Sequence, residues 1–236
     1  MDIGHCSYNC KDCPNCKMSV FSDLKEDEFD FLNYEKSIVQ LHKGQILFLQ
    51  DTKPHGLYCV KNGKVKIFRR GSEGKEQIVR LAHDADVVGY RALISDENYQ
   101  CGAAALEETT LCYVPKPALD KLMDRNVSIY KKMISVLADD LKSAELKISD
   151  LAQKPVRERV AETLIMIKEK YGLESDGVTL NVVLTREEMA NLVGTATESL
   201  IRILSDFKKE GFIEVENKRI KIIDFDHLYA TAHLYD

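Results

Sequence analysis

No apolar run in the chain approaches the roughly 20 residues needed to cross a bilayer. Its opening residues, MDIGHCSYNCKDC, also lack the apolar core of a secretion leader. A cytoplasmic protein is expected. Positive charge is in short supply too: 33 Lys and Arg against 38 Asp and Glu leave a net charge of −5, so binding to a polyanion has to come from a local patch. There is no Ser-His-Asp grouping, no phosphate-cradling glycine loop and no second cofactor motif, and the six histidines are scattered, which argues against an enzyme. Seven cysteines, odd in number and unevenly bunched, do not resemble the framework of a small secreted domain. Metal binding or redox chemistry is the better use for them.

What is present reads as two domains or more, since 236 residues exceed the usual single core. Between Ser37 and Pro115 short apolar segments alternate with turn residues: SIVQL, QILFL, GLYCV, KVKIF, EQIVRLA, DVVGY, GAAAL and TLCYV. Asn62-Gly63 predicts a two-residue hairpin and Gly71 with Gly74 a second one, giving a small antiparallel β-roll. Val127, Tyr130, Ile134, Leu137, Leu141, Ala144, Ile148 and Leu151 then follow at alternating steps of four and three. That is a heptad seam, and its mostly β-branched a layer favours a parallel two-stranded pairing. The alternative is a helix lying on its own domain. Pro155 ends the helix, and VRERVAETLIMIKEKYG reads as the next one, stopped by Gly172. A capping box at Thr185-Arg186-Glu187-Glu188, a turn at Gly194 and a helix through SLIRILSDFKKE predict a helix-turn-helix. FIEVE and RIKIID, joined by Asn217-Lys218, complete it as a β-wing. The boundaries expected are 1–20 for a Cys-rich arm, 21–117 for the roll, 118–153 for a dimerisation helix and 154–236 for the winged helix-turn-helix.

Cys6, Cys10, Cys13 and Cys16 carry metal-ligand spacing. Four thiolates suit tetrahedral zinc, Cys-x2-Cys-x2-Cys also begins a [4Fe–4S] pattern, and free or disulfide-forming thiols are a third use. A run of buried structural cysteines is not expected in so polar a segment. In the second helix of the reader, Glu198 and Arg202 share one face near the amino-terminal end, where an arginine can grip guanine and a glutamate the amino group of cytosine. Alternatively, Thr195 and Glu198 form a capping box and Arg202 pairs with Glu198 or Asp206. Thr195, Thr197, Ser199, Lys208, Lys209, Lys218 and Arg219 are candidate phosphate contacts.

The order of arm, roll, long helix and winged helix resembles the Crp/Fnr family of bacterial transcription regulators. The closer match is to its FNR-type oxygen sensors, carried by Gly4-His5-Cys6, Cys10-Lys11-Asp12-Cys13 and the stretch from Ala105 to Pro115. The resemblance implies a fold with a cyclic-nucleotide-binding-like β-roll, in the α+β class, and a homodimer on a two-fold symmetric DNA site that contacts RNA polymerase. It also implies a [4Fe–4S] cluster on Cys10, Cys13, Cys16 and Cys112, with Cys6 as the alternative to Cys16, responding to oxygen or nitric oxide. Two departures stand out. The gap before Cys16 is short for the family, and Ile201 occupies the place of a base-reading serine. Cys59 and Cys101 match no ligand position and are expected to be ordinary strand residues. Gly89-Tyr90-Arg91 and Gln100-Cys101 depart from the cyclic-nucleotide pattern, so no such ligand is expected, and Arg91 is expected in a salt bridge.

In the seam register Asp140 is a g residue and Glu145 an e residue, an acid-against-acid pairing that weakens the dimer. A cluster that packs the arm against this helix would then shift a marginal equilibrium towards the dimer.

Overall fold

Residues 3–5 and 9–233 are described in this computed structural model. The chain divides into two compact units, Met1–Ser143 and Ala144–Asp236. In the first unit the strands are β1 (Ile3–His5), β2 (Ser37–Leu41), β3 (Ile46–Phe48), β4 (Gly56–Asn62), β5 (Val65–Arg70), β6 (Glu76–Ala82), β7 (Val87–Val88), β8 (Gly102–Ala105) and β9 (Thr109–Pro115). They form two antiparallel sheets, in the orders β1-β2-β9-β4-β7 and β3-β8-β5-β6. The inward members of each alternating segment, among them Val39, Leu41, Val60, Val65, Ala103 and Leu111, make one apolar core. Period-2 patterning thus produces the roll, because one face of each strand has to leave water.

Two local expectations need correction. Asn62-Gly63 closes no hairpin: β4 pairs with β7 and β9, whereas β5 pairs with β6 and β8, so the dipeptide carries the chain from one sheet to the other. Gly63 alone has positive φ there, and a Cβ on it would lie 2.6 Å from Thr109 Oγ1. Tight packing at the sheet corner, rather than a type I′ turn, selects the glycine. The segment DVVGY yields only the two residues of β7 before the chain turns at Gly89, φ +87, into a short helix. The hairpin at Gly71 and Gly74 forms as expected between β5 and β6.

The helices of this unit are α1 (Pro14–Met18), α2 (Glu26–Glu35), α3 (Tyr90–Ile94), α4 (Lys116–Arg125) and the first part of α5 (Val127–Gln153). Asn126, φ −132, breaks the stretch between α4 and α5, and its Oδ1 accepts the backbone N–H of Ser128 at 3.0 Å. In the first half of α5 one side buries Ile129 and Met133 against Leu32, Leu119 and Leu122.

The second unit starts within α5 and continues through α6 (Val156–Tyr171), α7 (Arg186–Val193), α8 (Thr197–Lys209), β10 (Ile213–Glu216), β11 (Arg219–Ile222) and α9 (Phe225–Thr231). Pro155 separates α5 from α6, and Gly172 stops α6 at φ +72. The Thr185 hydroxyl accepts from the Glu188 backbone while Glu188 accepts from the Thr185 backbone, which is the expected capping box. Gly194 makes the left-handed turn between α7 and α8, and Arg159, itself buried, donates to its carbonyl at 3.2 Å. Among the described residues no helix is long and apolar enough to cross a membrane.

Candidate functional site

Four of the cysteines singled out by spacing or resemblance meet in the first unit. Cys10 opens a single 3-10 turn (Cys10–Asp12), Cys13 joins it to α1, Cys16 lies in α1 and Cys112 lies in β9. All four line one cavity of about 30 Å³ together with Cys59 and Lys36. Cys6 lies outside the described residues. Contrary to expectation, the polar arm does bury thiols: Cys10 and Cys16 are inside, in the same apolar cluster as Val20, Phe21 and Leu32. Polar anchors around them make this possible. The Cys10 N–H donates to Asn33 Oδ1 at 2.8 Å, Asn15 Nδ2 donates to the Lys61 carbonyl at 2.6 Å, and Lys11 pairs with Glu26 at 2.6 Å.

The electrostatics favour the thiolate at Cys10. Lys36, only 3% exposed, places Nζ 2.8 Å from Cys10 Sγ and 2.9 Å from Asn33 Oδ1. A hydrogen bond from the Cys16 thiol, with the Lys36 ammonium beside it, holds the Cys10 pKa down to about 6 against the opposing effect of burial. Cys16, as the donor in that pair and buried, is pushed the other way. Among the described residues no group of three or more His, Cys, Asp or Glu side chains is arranged to hold a single metal ion.

Cys59 is the residue that sequence reasoning passed over. Instead of being an ordinary strand residue it faces Cys112 directly across the β4–β9 ladder and borders the same cavity. Alternation along each strand told which face each thiol occupies, but not that strands fifty residues apart pair in this register. Cys101 lies just ahead of β8 rather than in it, and burial raises its pKa, with Arg91 opposing. Arg91 makes no ion pair among the described residues, so its expected salt bridge is absent.

The segment that follows the arm is tied to the start of α5. Lys132 pairs with Asp23 at 2.7 Å and also donates to the Ser22 hydroxyl, while Asn126 Nδ2 donates to the Asp23 carbonyl at 3.1 Å. Further along, Asp140 has a different company from the one expected. Arg80 pairs with it at 3.3 Å and the Tyr90 hydroxyl donates to it, so its charge is largely answered within its own unit. That weakens the acid-against-acid reading of Asp140 and Glu145, because a carboxylate already paired repels a neighbour less. The seam residues lie on an adjoining face of α5: Val127 is 63% exposed, Ile134 63%, Leu141 60% and Ile148 68%, with Tyr130, Ala144 and Leu151 exposed as well and Leu137 half-buried.

In the second unit, α8 buries Leu200, Ile203, Leu204 and Phe207 and turns Glu198, Ile201 and Arg202 outwards. Ala196 is the N-cap and has no side-chain acceptor, so the alternative box between Thr195 and Glu198 does not form. Neither Glu198 nor Arg202 has a hydrogen bond or ion pair among the described residues, so Arg202 is not taken up by Glu198 or Asp206. Thr195, Thr197 and Ser199 are half-buried at the same end of the helix, and Lys208 and Lys209 are exposed at the other. In the wing, Lys218 is exposed, whereas Arg219 is held by Glu174.

Comparison with known proteins matches residues 38–126 to the cyclic nucleotide-binding domain and residues 158–231 to the Crp-like helix-turn-helix domain. The fumarate and nitrate reduction regulatory protein of Salmonella typhimurium is 28% identical over 231 residues, covering 97% of this chain and 92% of its own. The anaerobic regulatory protein of Haemophilus influenzae is 27% identical over 227 residues, 95% of this chain and 88% of that one. Among solved structures, a protein from Eubacterium rectale described as a transcriptional regulator of the crp/fnr family superposes with a TM-score of 0.74 at 20% identity, covering 91% of this chain and 97% of the other.

Proposed function

The chain belongs to the Crp/Fnr family of DNA-binding transcription regulators, and we propose that it senses oxygen or a related oxidant such as nitric oxide through a [4Fe–4S] cluster held by Cys10, Cys13, Cys16 and Cys112. The observation that carries this reading is the convergence of three arm thiols and one strand thiol, about a hundred residues apart in sequence, on a single cavity beside a buried ammonium. Thiolates are the donors that iron–sulfur clusters take, and Lys36 offsets part of the negative charge that several of them would bring together. The names of the curated relatives, which refer to fumarate and nitrate reduction and to anaerobic regulation, support a role in switching genes for life without oxygen.

When bound, the cluster supplies an oxidant-sensitive link between four thiolates. The rest of the switch belongs to the chain. Anchored thiols hold the arm against α2 and β9, and the Lys132–Asp23 pair with the shared core around Ile129 and Met133 fixes the first half of α5. The exposed stripe from Val127 to Leu151 is the surface on which two copies pair as a parallel homodimer. Pairing places two α8 faces on a two-fold symmetric site, with Arg202 and Glu198 reading base edges and Thr195, Thr197, Ser199, Lys208, Lys209 and Lys218 near phosphates. Release of the arm loosens that half of α5 and shifts the equilibrium to the monomer. In this reading the protein acts in the cytoplasm with RNA polymerase as a partner and takes no cyclic nucleotide.

Iron and sulfide analysis on protein purified without air tests the reading. About four irons and four sulfides per chain are expected, with broad visible absorption near about 400 nm that bleaches in air. Zinc in place of iron, or DNA binding indifferent to air, would count against it.

A further inference from the structure

The cavity holds one thiol more than the proposed ligand set requires. Cys59 and Cys112 are direct partners in the antiparallel β4–β9 ladder. Directly opposed residues project from the same face of a sheet, and both of these border the cysteine cavity. Opposed antiparallel residues stand about 4.5–5.5 Å apart at Cα. That lies inside the range of roughly 4.4–6.8 Å over which a disulfide closes without moving the backbone. On its other side Cys112 meets Ile38 of β2, which offers no sulfur.

We propose that Cys59 and Cys112 form a reversible cross-strand disulfide when the site has lost its metal centre and meets a peroxide. The juxtaposition is fixed by the sheet and does not depend on the arm staying in place.

The chemistry balances in two steps. Cys112 sulfur attacks hydrogen peroxide; the O–O bond breaks, an S–O bond forms, and one water leaves with a sulfenic acid on Cys112. Cys59 sulfur then attacks that sulfenic sulfur; the S–S bond forms, the S–O bond breaks, and the oxygen departs as a second water that takes the Cys59 proton. Two electrons pass from the two sulfurs to the peroxide. In a reducing cytosol such a bond is temporary, which suits a redox record rather than a structural staple.

The functional consequence rests on the cluster reading: the disulfide removes a ligand, so a cluster lost to oxidants cannot be rebuilt until a thiol reductant has acted. The bond itself does not rest on that reading.

The full chain, stripped of metal by a chelator without air, is treated with one equivalent of hydrogen peroxide, alkylated and mapped by mass spectrometry. The expected product is a peptide pair linked through Cys59 and Cys112. Recovery of Cys59 as the alkylated thiol, with Cys112 free or bound to an arm cysteine, overturns the proposal. In a second arm, oxidised wild-type and Cys59→Ser proteins are supplied with iron and sulfide, or with dimedone. Wild type should lose most of its cluster assembly until dithiothreitol is added and give little dimedone adduct at Cys112, whereas Cys59→Ser, which lacks the resolving thiol, should keep Cys112 as a sulfenic acid that dimedone traps. Equal dimedone labelling of Cys112 in both proteins also overturns the proposal. If reduced wild type never takes up iron, the cluster reading fails, while the peptide map still decides the disulfide. The map uses wild-type protein, so a poorly folded variant does not blur it.

Discussion

In the proposed switch the cysteine cavity is the sensor and the outward face of α8 the reader, and the two are built on opposite plans. The cavity is assembled from far apart in sequence, buried, and supported by hydrogen bonds to Asn33 and from Lys36 and Asn15. The reading face comes from thirteen consecutive residues, is exposed, and leaves Glu198 and Arg202 without partners among the described residues. A sensor has to protect its reactive groups from water and hold them ready, which demands long-range packing. A reader has to present unsatisfied donors and acceptors to a partner that supplies the missing bonds, which one amphipathic helix can do. The rule that buried polar groups need partners is met in the first region, whereas the exposed groups of the second are satisfied by water until a partner displaces it.

The sharpest way to break this comparison is to remove one thiol from the cavity. Cys112→Ser should abolish bound iron and anaerobic DNA binding, while leaving the thermal midpoint of unfolding of the metal-free chain within a few degrees; iron retained at the wild-type level would end the four-ligand assignment. Next in size is the seam. Leu141→Asp puts a charge in the middle of the exposed stripe and should leave the protein monomeric at micromolar concentration in analytical ultracentrifugation, with iron content unchanged. A dimer that persists would move the interface off this face.

Arg202→Ala should weaken binding to the preferred site by about 1–3 kcal/mol and relax the preference at one base position, read by titrating a set of single-base variants. Neither iron nor dimerisation should move. Uniform weakening across all sequences would make Arg202 a phosphate contact instead. Asp140→Asn should have a smaller effect, roughly 0.5–1 kcal/mol of lost stability, because it removes a half-exposed pair with Arg80. Stronger dimerisation in air by that variant would restore the repulsive role expected from the heptad register.

The smallest effect concerns pH. The Thr179 hydroxyl, with the backbone N–H groups of Thr179 and Val178, holds the Asp176 carboxyl down to about 2. A carboxyl lowered by folding stabilises the native state above its ordinary value near 4 and loses that contribution as pH falls from about 4 towards 2. Asp176→Ala should therefore flatten the acid limb of a stability-against-pH curve, measured by thermal melts, and leave the neutral region nearly level.

Legibility followed the same division. The winged helix was readable almost residue by residue, since a capping box, a left-handed glycine and 3.6-residue periodicity are local signals, and Thr185, Gly194 and α8 sit where they place them. In the roll most strand positions and the β5–β6 hairpin were readable, but the pairing of the other strands was not. Asn62-Gly63 carries the strongest short-range hairpin signal and is overridden by the turn between sheets. Cys59 was dismissed for the same reason: nothing local says that it faces Cys112. Asp140 shows the limit of heptad reasoning, because a register assigns neighbours on a partner helix and is blind to Arg80 and Tyr90 in the chain's own roll.

The apolar stripe on α5 also bears on how much of the protein a cell has to make. A helix of 27 residues is about 40 Å long. Carrying Val127, Ile134, Leu141 and Ile148 in the open, it is adhesive on its own, inviting chaperones and proteases to compete with the second copy. Under the proposed oxygen-sensing reading with weak pairing, promoter occupancy grows with the square of the monomer supply, so doubling expression acts on the regulated genes like a partial removal of oxygen. Gene dosage and atmosphere are then two inputs to one equilibrium.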